Sequence, residues 1–453
     1  MPSMTAASPV PAPRAGDRRL RLACAAGAIG LTLLAWFLQG IIDGRLQAVL
    51  GVPAFLLLAG ACSANLRAID LRVIGWGIGL QFGLALLILK FEIGGVRPGY
   101  ELFVAASGLA KRFLEFTNAG SQFVFGDLAK PEVLGRVVPN GFVFAFTALP
   151  TIIFISSFFT VLYHYGVLQF IVRVMARAMM HLMRTSGAET LAAAANVFMG
   201  QTEAPIIVKP YVPRMTQSEL LAMMAVGMAT ISGAVMAVYI SLGADPVAIL
   251  TGSVMAAPCG LYLAKILMPE TEVPETRGRV RTIVERQHVN VIDAAAAGAG
   301  DGLTLALNIA AMLIAFLAFI ALIDYLLGLV SPGLTLARVF ATLFAPVAVL
   351  MGVPGPDVAP IADLLGTKLV TNEFVSFVKL TSEYRTALSD RSYVLATYAL
   401  NGFANFGSVG ILLGGLGAMA PTRRGDLARL STRALLGGFL ATLINASIAS
   451  ILL

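Results

Sequence analysis

Along most of this chain apolar residues do not alternate with polar ones. They run continuously, then give way to short stretches carrying Arg, Lys, Asp, Gly or Pro. A helix of about 20 apolar residues crosses a hydrocarbon core of ~30 Å, so these runs predict membrane spans. They fall at 22–42, 48–64, 73–90, 141–166, 217–242, 246–268, 303–330, 391–418 and 433–453. Outer-membrane strands would alternate with period two, which these runs do not, and the expected fold is an all-α polytopic membrane protein. The segments 101–128, 167–184, 187–211, 333–352 and 354–380 are too polar or too interrupted for simple spans. Irregular backbone survives at membrane depth only where protein or trapped water satisfies it, so these predict interfacial helices or re-entrant hairpins.

Two of those segments belong to a repeated plan. Residues 187–241 run from a polar tip, GQTEAP at 200–205, to an apolar helix interrupted by Ala229-Thr230-Ile231-Ser232-Gly233. Residues 354–418 run from a second tip, TNEF at 371–374, to a helix interrupted by Ala404-Asn405-Phe406-Gly407-Ser408. Paired interruptions at corresponding places are the sequence mark of a transporter built from inverted repeats meeting near the bilayer midplane.

The expected organisation is a disordered cytoplasmic N-terminus at 1–21, an additional N-terminal transmembrane helix at 22–42, and scaffold spans with an interfacial helix at 48–166. A first transport repeat follows at 167–268, then a cytoplasmic linker at 269–300 and a scaffold span with an interfacial helix at 301–352. The second transport repeat occupies 353–418, and a C-terminal loop and helix occupy 419–453.

Composition agrees with lipid as the solvent: 58% of the 453 residues are hydrophobic and 13% charged, against about 25% charged in soluble domains. The net charge of +7 does not point to nucleic acid, because the basic residues are scattered through short loops rather than gathered in an aromatic-lined groove. Most of them fall on one side of the predicted spans, at Arg14/Arg18/Arg19/Arg21, Arg67/Arg72, Arg173/Arg177/Arg184, Lys209/Arg214 and Arg423/Arg424/Arg429/Arg433. Lys111, Arg112, Lys130 and Arg136 fall on the other. The positive-inside rule then predicts an inner-membrane protein with its N-terminus cytoplasmic and its C-terminus periplasmic. Cys24, Cys62 and Cys259 are too far apart in sequence for a metal knuckle or a disulfide framework.

The polar residues inside apolar sequence carry the candidate chemistry. A carboxylate at the bilayer centre costs about 2.5–3.5 kcal/mol on insertion scales and is a functional residue by default. Glu203 sits between Gly200 and Pro205, where a broken tip frees backbone groups for polar solute atoms. Glu373 could accept two hydroxyl hydrogen bonds from a vicinal diol, with Asn405 adding an amide and Ser408 a hydroxyl. Asn and Ser in membrane bundles also serve as interhelical glue. Asn196 and Thr230, with carbonyls freed at Met199 and Ile231, could offer hard oxygen ligands to a small cation, or Thr230 could simply bond its own helix backbone. Asp301 and Asp324 resemble a protease pair only superficially, since 23 residues of helix would separate them by roughly 35 Å. No phosphate-binding glycine loop is present, which leaves an ion gradient as the energy source.

Three long strings resemble the hallmark segments of the concentrative nucleoside transporter family: TSGAETLAAAANVFMGQTEAPIIVKPYV at 185–212, LGTKLVTNEFVSF at 365–377 and ALNGFANFGSVGILLGGLG at 399–417. The similarity extends from about residue 48 to the C-terminus. It implies a homotrimer whose protomers pair a scaffold with a mobile unit of two opposed hairpins and two broken helices. It further implies nucleoside import with sodium or proton as coupling ion and no other cofactor; related solutes such as nucleobases or modified nucleosides, and a less favoured intramembrane hydrolase, are the alternatives. By motif position, Gln201, Thr202 and Glu203 would face the nucleobase, with Val235 and Phe403 beside it. Glu373, Asn405 and Ser408 would hold the ribose, and Asn196, Thr230 and the carbonyls of Met199 and Ile231 would hold sodium. Gly407, Met199 and Thr230 stand where family members often carry Ser, Val and Ser.

Overall fold

The computed structural model describes residues 15–138, 143–278 and 288–453. The first fourteen residues, and most of the basic stretch between Arg277 and His288, therefore lie outside the described residues. Among the described residues every regular element is a helix, with only two isolated β-bridges.

In chain order the α-helices are α1 (Ala15–Phe37), α2 (Gly44–Ala61), α3 (Leu71–Leu89), α4 (Pro98–Phe125), α5 (Pro131–Val137) and α6 (Phe144–His164). There follow α7 (Val167–Met183), α8 (Gly187–Ala195), α9 (Gln217–Ala229), α10 (Gly233–Leu242), α11 (Pro246–Leu267) and α12 (Val291–Val330). The last six are α13 (Leu336–Leu350), α14 (Val358–Val370), α15 (Glu373–Ser382), α16 (Asp390–Leu400), α17 (Phe406–Met419) and α18 (Arg424–Leu452).

Among the described residues eight spans, with α9 and α10 counted as one, are long and apolar enough to cross a membrane. The ninth expected crossing, 391–418, is divided into α16 and α17, each too short alone. Three helix starts differ most from expectation. Helix α1 begins at Ala15 rather than Leu22, because Asp17 is buried against Arg67 at 3.5 Å and Arg21 donates to the Ala64 carbonyl at 2.8 Å. Helix α12 begins at Val291, where Asn290 caps it by accepting from the Asp293 N–H at 2.9 Å, so the linker is shorter than 269–300. Helix α18 begins at Arg424, ahead of 433, and carries Arg429 and Arg433 in its first turns.

In lipid a free helix end is costly, and several helix starts around the centre of the molecule are capped by side chains. Ser186 with Glu189, and Thr216 with Glu219, form capping boxes at α8 and α9. Asn372 and Asn405 cap α15 and α17. Two layers result. Helices α9, α10, α11, α16 and α18 are buried almost throughout, with α8, α14 and α15 inserted among them as hairpin arms. Helices α6 and α12 form a pair packed against this body through α10, joined where Gly298 and Gly302 admit the α6 backbone: a Cβ on either glycine would lie 2.8 Å from the Cα of Ser157 or Ile153. Gly298 and Gly302, on either side of Asp301, thus have a packing role, and Asp324 accepts from the Leu336 N–H at 2.6 Å at the start of α13.

The termini of the helical body lie at opposite ends. Arg45 at the start of α2 donates to the Leu453 carbonyl at 2.5 Å, whereas Asp17 and Arg21 share their end with residues 64–67.

Candidate functional site

Both interrupted helices break without an internal proline at the break. In the first, Thr230 and Ser232 are extended (ψ 168° and 154°) before α10 starts at Gly233. In the second, Asn405 is extended (φ −144°, ψ 165°) and accepts from the Ser408 N–H at 2.7 Å, a side-chain bond that replaces continuation of the helix by a new start. Each break frees carbonyls on a C-terminal half-helix end and N–H groups on an N-terminal one, with the corresponding partial charges.

The two breaks touch. The Phe403 N–H donates to the Thr230 carbonyl at 3.1 Å. Gly402 lies so close to the end of α9 that an added Cβ would meet the Ala229 and Met228 carbonyl oxygens at 2.9 and 3.0 Å. The first hairpin closes on the same point, since the Gly233 N–H donates to the Phe198 carbonyl at 2.9 Å. Its tip also reaches the second broken helix, where Thr202 packs on Gly415.

A cavity opens between these elements, with about 670 Å³ of empty space counted out to where it meets solvent. All eight residues expected around a substrate, Gln201, Thr202, Glu203, Val235, Phe403, Glu373, Asn405 and Ser408, line it. Glu373 is the most heavily bonded: Tyr239 Oη donates to one carboxylate oxygen at 3.1 Å and Asn405 Nδ2 to the other at 2.8 Å. Glu203 accepts from the Gly200 N–H at 3.1 Å. Gln201 Oε1 and Ser232 Oγ are buried with no hydrogen-bond partner among the described residues, the condition of groups awaiting a polar ligand or water. The remaining wall is apolar, with Leu305, Ile309 and Met312 of α12 facing the hairpins. A small set of convergent polar groups on apolar walls is the composition of a small-molecule site.

The four residues expected around a cation stand on the two segments that meet at the first break, 196–199 of the hairpin and 230–231 of the broken helix, linked by the Gly233 N–H to the Phe198 carbonyl. Asn196 is the C-cap of α8, fully buried, and its Oδ1 has no donor among the described residues. That oxygen lies 3.6 Å from where a Cβ on Gly227 would stand, against the last turn of α9. Thr230, the C-cap of α9, donates its hydroxyl to the Val226 carbonyl at 3.0 Å, so its oxygen lone pairs remain available. Thr230 and Ile231 are buried and Met199 half-buried. An orphaned amide oxygen, a hydroxyl oxygen and carbonyls at a helix C-terminus are the donor set a small hard cation takes.

Sequence reasoning missed Tyr239, Asn372, Ser232 and the α12 wall. Tyr239 was within reach, because it lies four positions after Val235 on α10 and shares its face. The α12 residues carry no local signal, since a lipid-facing and a cavity-facing Leu look alike in sequence.

Two opposed hairpins, two broken helices in contact and a polar-tipped apolar cavity between them define a membrane transporter for a small polar solute. Comparison with known proteins agrees. Residues 50–128 match the description "Na+ dependent nucleoside transporter N-terminus", 145–246 "Nucleoside recognition", and 248–450 "Na+ dependent nucleoside transporter C-terminus". Sodium/nucleoside cotransporter 1 of Mus musculus is 39% identical over 94% of this chain and 67% of its own length. An uncharacterized transporter of Haemophilus influenzae is 41% identical over 90% of this chain and 97% of its own. The structure of CNTnw in an inward-facing, substrate-bound state superposes with a TM-score of 0.85 at 38% identity, covering 90% of this chain and 98% of that one. A doubly substituted CNTnw in an outward-facing state gives 0.84. The chain belongs to the sodium-dependent nucleoside transporter family, and it is a transporter rather than an enzyme.

Proposed function

We infer that this protein is a sodium-nucleoside symporter that imports nucleosides across an inner membrane by alternating access. The observation that carries the reading is the convergence of Glu203, Glu373, Asn405 and Ser408, from two separate hairpin-and-break units, on one cavity. Glu373, with Asn405 and Ser408, accepts the ribose hydroxyls; Gln201, Thr202 and Glu203 bond the base edge, with Val235 and Phe403 against its faces. The carboxylate suits a diol because it is acceptor-only when ionised. Sodium sits at Asn196, Thr230 and the carbonyls of Met199 and Ile231, and orders the first break so that the Phe403 N–H stays on the Thr230 carbonyl.

The two repeats, 167–268 and 353–418, carry the closed site past a scaffold that includes α6 and α12. A homotrimer would cover the apolar surface of α12, whose span is only 6% buried in the single chain. The ends near Arg67, Arg214 and Arg423 face the cytoplasm by the positive-inside rule. One charge moved through 100 mV supplies roughly 2.3 kcal/mol, enough for about fiftyfold accumulation.

Uptake of radiolabelled uridine, adenosine and cytidine into proteoliposomes under a sodium or a proton gradient tests this. Sodium-driven accumulation is expected. Proton-only uptake would remove sodium from the mechanism, and no uptake of any of the three would remove nucleosides.

A further inference from the structure

Lys368 is fully buried in the last turn of α14, an arm of the second hairpin. Its Nζ donates to the Ala399 carbonyl at 2.8 Å and to Thr442 Oγ1 at 3.0 Å, and stands 5.6 Å from the centre of the Phe439 ring. The Thr442 hydroxyl spends its own proton on the Phe439 carbonyl at 2.9 Å, so it meets Lys368 with a lone pair. Two oxygen lone pairs and an aromatic face are the surroundings of a cation. Burying an ammonium costs several kcal/mol, and Met would fill a similar volume without that cost.

The place it occupies explains the choice. Ala399 lies in the last turn of α16, the C-terminal end of the half-helix before the second break. At the corresponding place in the first repeat, the end of the hairpin arm α8 meets the last turn of α9, and there Asn196 offers an unpaired oxygen. The same negative half-helix end is faced by empty oxygens in one repeat and by an ammonium in the other.

We propose that Lys368 is a tethered cation, a positioning residue that does permanently at the second break what a diffusible ion does at the first. It holds the end of α16 and thereby sets Asn405 and Glu373 for the substrate. The second break is then ordered without any ion, and one coupling cation accompanies each nucleoside. The comparison between breaks rests on reading Asn196 and Thr230 as a cation site; the role of Lys368 rests on its own contacts.

Backbone hydrogen exchange of the full chain, with sodium or with choline in its place, tests both halves separately. Sodium should slow exchange at 226–233 and at the Phe403 N–H, which bonds the Thr230 carbonyl, and leave 397–402 unchanged. In Lys368→Ala, exchange at 397–402 should quicken at least about tenfold, and uridine uptake should fall comparably. Ammonium or methylammonium should restore both, whereas the bulky N-methylglucamine should not. Rescue by a small cation is a result that lost packing alone would not give. The proposal is overturned if sodium slows exchange at 397–402 in the unaltered protein, if no small cation rescues folded Lys368→Ala, or if Lys368→Met exchanges and transports normally. Should Lys368→Ala fail to fold, the sodium response of the unaltered protein and Lys368→Met still decide. Absence of a sodium effect at 226–233 would count against the sodium site alone, with the rescue still deciding the role of Lys368.

Discussion

The two broken helices of this protein face the same electrostatic problem and meet it differently. Each ends its first half inside the protein with carbonyls that have lost their helical partners. At α9 these stand beside Asn196 Oδ1, buried and without a donor; at α16 the Lys368 ammonium already bonds one of them. A repeat that leaves its oxygens open can respond to an ion gradient, and a repeat that fills them cannot. The proposed division of labour follows from this asymmetry: the first break would sense the ion, and the second would keep the substrate carboxylate in place.

Four substitutions break or sharpen this contrast. The largest effect is expected from Glu373→Gln, which keeps the shape but removes the charge that Tyr239 and Asn405 address. Charge-assisted bonds are worth about 1.5–3 kcal/mol, so uridine affinity should drop by about 10- to 150-fold while sodium binding is spared. Calorimetric titration of each ligand reads this directly, and a parallel loss of sodium affinity would mean that the two breaks are not separate.

Gly402→Ala attacks the point where the breaks meet. Its Cβ would stand 2.9 Å from the Ala229 oxygen, so overpacking should cost about 1–3 kcal/mol of stability and weaken both ligands together. Gly410→Ala, with nothing within 4 Å, is the control. Equal thermal midpoints for the two variants would remove the close contact from the account.

Asn196→Ala removes the orphaned oxygen at the first break. The sodium concentration for half-maximal uptake should rise about tenfold, some 1.4 kcal/mol, with nucleoside affinity at saturating sodium little changed. A variant with unaltered sodium dependence would take Asn196 out of the site.

The smallest effect belongs to Glu275→Gln. Its ion pair with Arg214 at 3.1 Å is exposed on both sides, and such pairs contribute at most about 1 kcal/mol. Uptake and thermal midpoint should be indistinguishable from the parent. If Glu275→Gln were as damaging as Glu373→Gln, burial would not be what distinguishes a functional acid here.

The sequence alone determined the lipid environment, the number of apolar runs, the two tips and the two interruptions, because those depend on composition and local backbone chemistry. An Asn whose side chain can cap the following N–H groups can restart a helix inside an apolar run, and Asn405 shows this. Helix ends were less legible. Ala15 to Arg21 joined α1 only because Arg67 and the Ala64 carbonyl, distant in sequence, paired its polar groups. Which acids met was decided by the tertiary structure, since Tyr239 and Glu373 are 134 positions apart. So was the contrast between the breaks: in the sequence Lys368 is one basic residue among 32 Lys and Arg. Its meaning comes from two oxygens on α16 and α18 that only folding brings to it, because in a low-dielectric interior the worth of a charge is set by what stands within hydrogen-bond reach.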